Sequence, residues 1–158
     1  MRLKHFYVAC FATFIVLYGC GNSEEKVTKD ETPDPGKNEY VDPNANPKGI
    51  GKFTNVELTH PLDEKMVTAG QKVYDIKCAS CHKLTDEKVV GPGWKGVTDR
   101  RQPEWIMNFV TNVDEMLDKD PEAQAMLEVC MVRMPNQNLN DDEARQVLEF
   151  MRKNDGKN

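Results

Sequence analysis

The chain has little apolar sequence and no run long enough to cross a bilayer. Of its 158 residues 39% are hydrophobic, and mean hydropathy is −0.66. The apolar run near the start, charge-free over the twelve residues Phe6 to Leu17, falls short of the roughly 20 that a spanning helix needs. A polytopic membrane protein is therefore excluded. A long basic run is missing too: 21 Lys and Arg stand against 26 Asp and Glu, a net charge of −5. That balance argues against a nucleic-acid binder whose affinity rests on phosphate contacts. No segment alternates with period two as a strand would, and no internal repeat is present. The apolar fraction is thin for a self-sufficient core, since average usage is about 45–50% with Gly counted. Something beyond the amino-acid side chains is expected to help fill it.

What is present is unevenly spread. Met1-Arg-Leu-Lys-His5 is basic, Phe6 to Leu17 is apolar, and Cys20 follows after Tyr18-Gly19. This pattern suits the n- and h-regions of a signal peptide. Leu-x-Gly-Cys resembles the lipobox of bacterial lipoproteins, with Tyr18 where a small residue is usual. The resemblance implies a signal peptide over 1–19 and a diacylated Cys20 at the mature N-terminus. Attachment through two or three acyl chains is stable where one is marginal. The mature chain would have 139 residues and, without Arg2 and Lys4, a charge of −7. It would lie in the cell envelope, lipid-anchored on the exported side of a membrane, in an oxidising compartment (periplasm or cell surface).

Residues 20–52 read as a flexible linker, because seven of the nineteen residues from Pro33 to Gly51 are Pro or Gly. Thirty such residues reach roughly 30 Å. Regular patterning begins near Phe53 and is helical, so the folded domain is placed at 53–158. Asp63 caps a helix over about 64–77, and Pro103 opens one over 104–111. Asp120-Pro121 starts another that runs to about Val132. Asn140 and Glu143 form a capping box before a last helix with Ala144, Val147, Leu148 and Met151 at i, i+3, i+4 and i+7.

The decisive feature is Cys78-Ala79-Ser80-Cys81-His82. C-x-x-C-H is the attachment pattern of c-type haem. Cysteines three apart share one face of a helical turn, so both sulfurs can form thioethers with one macrocycle, and the adjacent imidazole can ligate its iron. A thioredoxin-like disulfide would need a βαβ context. A closed zinc site would need four ligands, and only Cys130 and His60 remain, far away in sequence.

Around this motif, residues 62–153 resemble a small class I c-type cytochrome, mono-haem and of His/Met type. In that family a Gly and an aromatic residue one turn apart precede the motif, as do Gly70 and Tyr74, and they cross the last helix, here near Leu148 and Phe150. The resemblance implies an all-α fold of four to five short helices wrapped around one covalent haem c, held through Cys78 and Cys81. It further implies His82 as one iron ligand, its imidazole bonded to the carbonyl of Pro92 in the loop Gly91-Pro92-Gly93-Trp94. Trp94 stands where an aliphatic residue is commoner. Met134-Pro135 lies ahead of the last helix, where the family's second ligand comes. Met131 and His60 are the rivals for that position. Met66, Met107, Met126 and Met151 fall on helix faces and read as core. Cys130 is left without an intramolecular disulfide partner.

His/Met ligation raises a reduction potential and leaves no place for substrate. The expected function is electron transfer rather than catalysis: a membrane-tethered carrier serving a quinol-oxidising complex and a terminal oxidase or nitrogen-oxide reductase. The alternative is a haem enzyme or ligand sensor with an open or displaceable sixth iron position. Residues 65–101 hold eight basic and four acidic side chains, and residues 102–158 six and twelve. Lys77, Lys83, Lys88 and Lys95 could therefore face an acidic redox partner.

Overall fold

The computed structural model describes residues 45–158. The expected signal peptide at 1–19, the expected lipid-bearing Cys20 and the expected linker up to residue 44 lie outside the described residues. Those described form six helices and no strand: α1 (Glu64–Lys77), α2 (Val97–Arg100), α3 (Pro103–Thr111), α4 (Val113–Lys119), α5 (Pro121–Cys130) and α6 (Asp141–Asn154). The fold is the all-α one expected, with more helices than the expected four to five.

The helix starts follow from their caps. Asp63 accepts from the Lys65 and Met66 amides at 2.8 and 3.2 Å, which starts α1. Asn140 and Glu143 form the reciprocal box that starts α6. Two of these helices, α2 and α4, are not among those expected from the sequence. The single turn α2 is capped from afar: Asp155, just past α6, accepts from the Gly96 amide (2.6 Å), the Thr98 amide (2.9 Å) and the Thr98 hydroxyl (2.7 Å). Only Asn112, in a non-helical conformation, separates α4 from α3. The helix α5 ends at Cys130 rather than Val132, because Met131 turns left-handed with φ 56°.

Helices α1 and α6 cross in the most extensive contact of the domain. Gly70 lies at the crossing, where a Cβ would stand 2.0 Å from the Gln146 carbonyl oxygen and 2.9 Å from Phe150 Cβ. One turn on, the Tyr74 ring packs 5.4 Å from that of Phe150. The expected crossing is present, centred on Gln146 and Phe150.

The linker boundary drawn from composition differs from the observed one. The buried Asn108 of α3 donates to the carbonyls of Lys48 and Phe53 and accepts from the Phe53 amide, each at 2.9 Å. Gly49 is seated against Met116 and Trp105, where a Cβ would come within 3.0 Å of both. Farther along, the fully buried Glu149 pairs with Arg145 and Arg152, which donate to the Glu57 and Thr59 carbonyls. The strap from Asn46 to Thr59 is held by such hydrogen bonds, by close approach of glycine, and by Ile50, Phe53, Val56 and Leu58, which pack against the core at irregular spacing.

Candidate functional site

The crossing positions the end of α1. There Cys78 keeps its amide on the Tyr74 carbonyl, while the Cys81 and His82 amides return to the Cys78 carbonyl at 3.0 and 2.9 Å. Two cysteines and a histidine are thus wound into one tight turn. The Tyr74 hydroxyl donates to the His82 carbonyl at 2.8 Å, joining the helix crossing to this turn. Cys78 is buried and Cys81 half-buried. Burial raises the Cys78 thiol to about 11, against the pull of Lys77 and helped by Cys81. A thiol held neutral is a poor nucleophile, unlike the low-pKa thiol of a thiol–disulfide enzyme.

The segment after the turn fixes the imidazole. His82 Nδ1 lies 2.9 Å from the Pro92 carbonyl. A carbonyl can only accept, so Nδ1 carries the proton and Nε2 keeps its lone pair. Burial lowers the His82 pKa and the Pro92 contact opposes that, which favours the neutral ring that a metal requires. Gly91 lies against the ring, where a Cβ would meet His82 Cε1 at 2.3 Å. Trp94 is buried beside it, 5.6 Å from the His82 ring and 4.9 Å from Tyr74. The indole thus backs the imidazole.

His82 faces two predominantly apolar cavities. Both share the walls His82, Pro92, Phe109, Met126 and Met134. One continues past Cys81, Val90 and Cys130, and the other past Trp94, Trp105 and Arg101. Met134 is half-buried on the segment between α5 and α6, which brings a thioether to the cavities that the imidazole lines. Met131 is 84% exposed, and His60 is exposed just past the strap, with Nδ1 2.7 Å from the Asn158 carbonyl. Neither lines these cavities. Cys130 shares the first cavity with Cys81, and burial raises its pKa against the influence of Lys88.

Met126, expected in the core from its helix face, packs against the core and also borders both cavities together with His82 and Met134. The period of α5 gives its apolar face, but only the tertiary placement of α5 shows that this face meets the imidazole.

Two thiols in one turn, an imidazole with a bare Nε2, a thioether and apolar walls make a donor set suited to a flat apolar macrocycle carrying a metal. The family model described as Cytochrome c matches residues 67–155. A cytochrome c from Rhodothermus marinus is 29% identical, with a TM-score of 0.65 over 67% of this chain and 90% of its own. An engineered R. marinus cytochrome c, described as bound to a carbene intermediate, is 27% identical, with a TM-score of 0.63 over 70% and 99%. A cytochrome c domain from Pseudomonas putida is 27% identical, with a TM-score of 0.50 over 55% and 88%. No curated protein matches the chain.

Proposed function

This chain belongs to the cytochrome c family, and from that premise we propose that it is a membrane-tethered mono-haem carrier of single electrons, with His82 and Met134 as its two iron ligands. Membership makes it a haem protein of the electron-transfer type. Haem, when bound, supplies a one-electron iron couple. Cys78 and Cys81 would hold it through thioethers. The Pro92 carbonyl orients His82 and strengthens its electron donation. Met134 is a weak donor, which favours the reduced state and a high potential. Phe109, Trp105 and the methionine walls exclude water from the slot.

The observation that carries the reading is that His82 and Met134 line the same two cavities. In the same reading Cys20 is the lipid anchor. The linker confines a mobile domain near its partners and raises its effective concentration there. Those partners are a quinol-oxidising complex and a terminal oxidase or nitrogen-oxide reductase. Of the four lysines that would face an acidic partner, Lys77 is paired with Glu143 at 2.9 Å, whereas Lys88 donates to the Val129 carbonyl and keeps its charge. The second reading, a haem enzyme or ligand sensor with a displaceable sixth position, draws on the carbene-bound engineered relative.

Spectra of the holoprotein separate the two. The carrier is expected to show the long-wavelength charge-transfer band of a thioether on ferric haem and to take up no carbon monoxide when ferrous. Met134→His should replace that band with a bis-imidazole spectrum and a lower potential, whereas Met131→His should retain it. A high-spin ferric spectrum with rapid carbon monoxide binding would refute the carrier. Release of Cys20→Ser from the membrane fraction is the expected result for the anchor, and its retention there would refute it.

A further inference from the structure

Two methionines, not one, border both cavities that His82 faces, and they are held in different ways. Met134 lies on the irregular segment between α5 and α6, bracketed by Met131 and Asn138, which have φ of 56° and 50°. Left-handed backbone is strained at Met131, and less so at Asn138, whose short side chain tolerates it. Its neighbour Arg133 anchors the segment from an exposed position, donating to the Asp114 carbonyl (3.1 Å) and pairing with the carboxylates of Asp114 (3.5 Å) and Asp118 (2.8 Å), contacts that solvent screens. Met126 sits instead on α5. That helix starts on the buried Asp120, which accepts from the Ala123 amide at 2.9 Å and from the Trp105 indole at 3.3 Å. The two thioethers thus sit on differently anchored elements, one on an irregular segment and one on a capped helix.

Resting on the His82/Met134 reading above, we propose that Met126 is a reserve ligand: when the Met134 segment swings out, the Met126 thioether takes the vacated iron position. A methionine has three rotatable side-chain bonds and a polarisable sulfur, so it can re-aim without moving its helix. Imidazole and carbon monoxide then meet an internal competitor even with Met134 withdrawn. The slot keeps its carrier character through motions that would otherwise open it to ligand chemistry.

The test compares ferric and ferrous spectra of the holoprotein in four forms: wild type, Met126→Leu, Met134→Ala and the double variant. Far-UV circular dichroism and covalent haem content serve as folding controls. Met134→Leu, a volume-conserving change, is run in parallel in case the alanine variant does not fold. Expected are a thioether band in wild type and in Met126→Leu, a displaced but persistent band in a Met134 variant, and its loss in the corresponding double variant. Imidazole should bind the double variant at least about tenfold more tightly than the single Met134 variant. A band in wild type, with both Met134 variants high-spin or nitrogen-ligated, overturns the reserve role alone. No band in wild type overturns the ligand pair and the reserve with it. A band lost in Met126→Leu alone would make Met126 the resident ligand and overturn both assignments.

Discussion

Replacing Gly70 with Ala puts a single methyl group between α1 and α6. Alanine is the better helix former by about 1 kcal/mol, so an isolated α1 would gain. The crossing opposes this. The new Cβ would lie 2.0 Å from the Gln146 carbonyl oxygen, where real Cβ atoms keep at least about 3.0 Å, so the helices must part by about 1 Å. The obstacle is backbone within α6 and cannot rotate aside. A gap of 0.5–1 Å forfeits about a quarter to a half of each dispersion contact. Overpacking therefore costs toward the upper end of its usual range of about 1–3 kcal/mol, and the net loss is about 2 kcal/mol. For a domain of this size that corresponds to a fall in Tm of about 8–12 °C, measurable by thermal unfolding of the holoprotein at 222 nm. Gly156→Ala supplies the contrast: its φ is 73° and nothing lies within 4 Å, so only backbone strain of about 1 kcal/mol is added. A Gly70→Ala protein as stable as wild type, or one no less stable than Gly156→Ala, would refute the contact argument.

Gly91→Ala should push the His82 ring off the Pro92 carbonyl, since the new Cβ would meet Cε1 at 2.3 Å. The expected result is a higher reduction potential with both thioethers intact, read by potentiometry and mass spectrometry. Asn108→Ala should cost about 2–3 kcal/mol by leaving strap groups unpaired, and should speed limited proteolysis within residues 46–59. Glu143 has its carboxyl held below its ordinary value by Lys77 first and then by the Asn140 amide. The stabilisation is therefore present above that value and is lost as pH falls through the depressed one. Glu143→Gln should lose up to about 1 kcal/mol at neutral pH and match wild type in strong acid, as followed by denaturant unfolding at each pH.

Local signals in the sequence carried most of the helical frame. Asp63, Pro103, Asp120 and Asn140 each mark a helix start because a cap or a first-turn proline acts within a few residues. The helix α2 escaped because its cap, Asp155, stands 59 residues from Gly96. The strap escaped because Asn108 and the Glu149 cluster hold it by side-chain hydrogen bonds, and its apolar residues pack at irregular spacing. At the site, Cys78, Cys81 and His82 were legible from spacing, whereas Pro92 and Met134 came from family resemblance. Met126 was hidden for a simpler reason. A methionine on an apolar helix face looks the same in sequence whether it meets another side chain or a prosthetic group.

The long reach of Asp155 ties the end of the last helix to the site. The loop carrying Pro92 and Trp94 runs into α2, and α2 gets its cap from Asp155, just past α6. The far end of the segment that holds the His82 ring is thereby pinned by a residue bonded to neither His82 nor Pro92. Asp155→Ala should loosen that segment, and limited proteolysis near residues 96–101 should then be faster than in wild type.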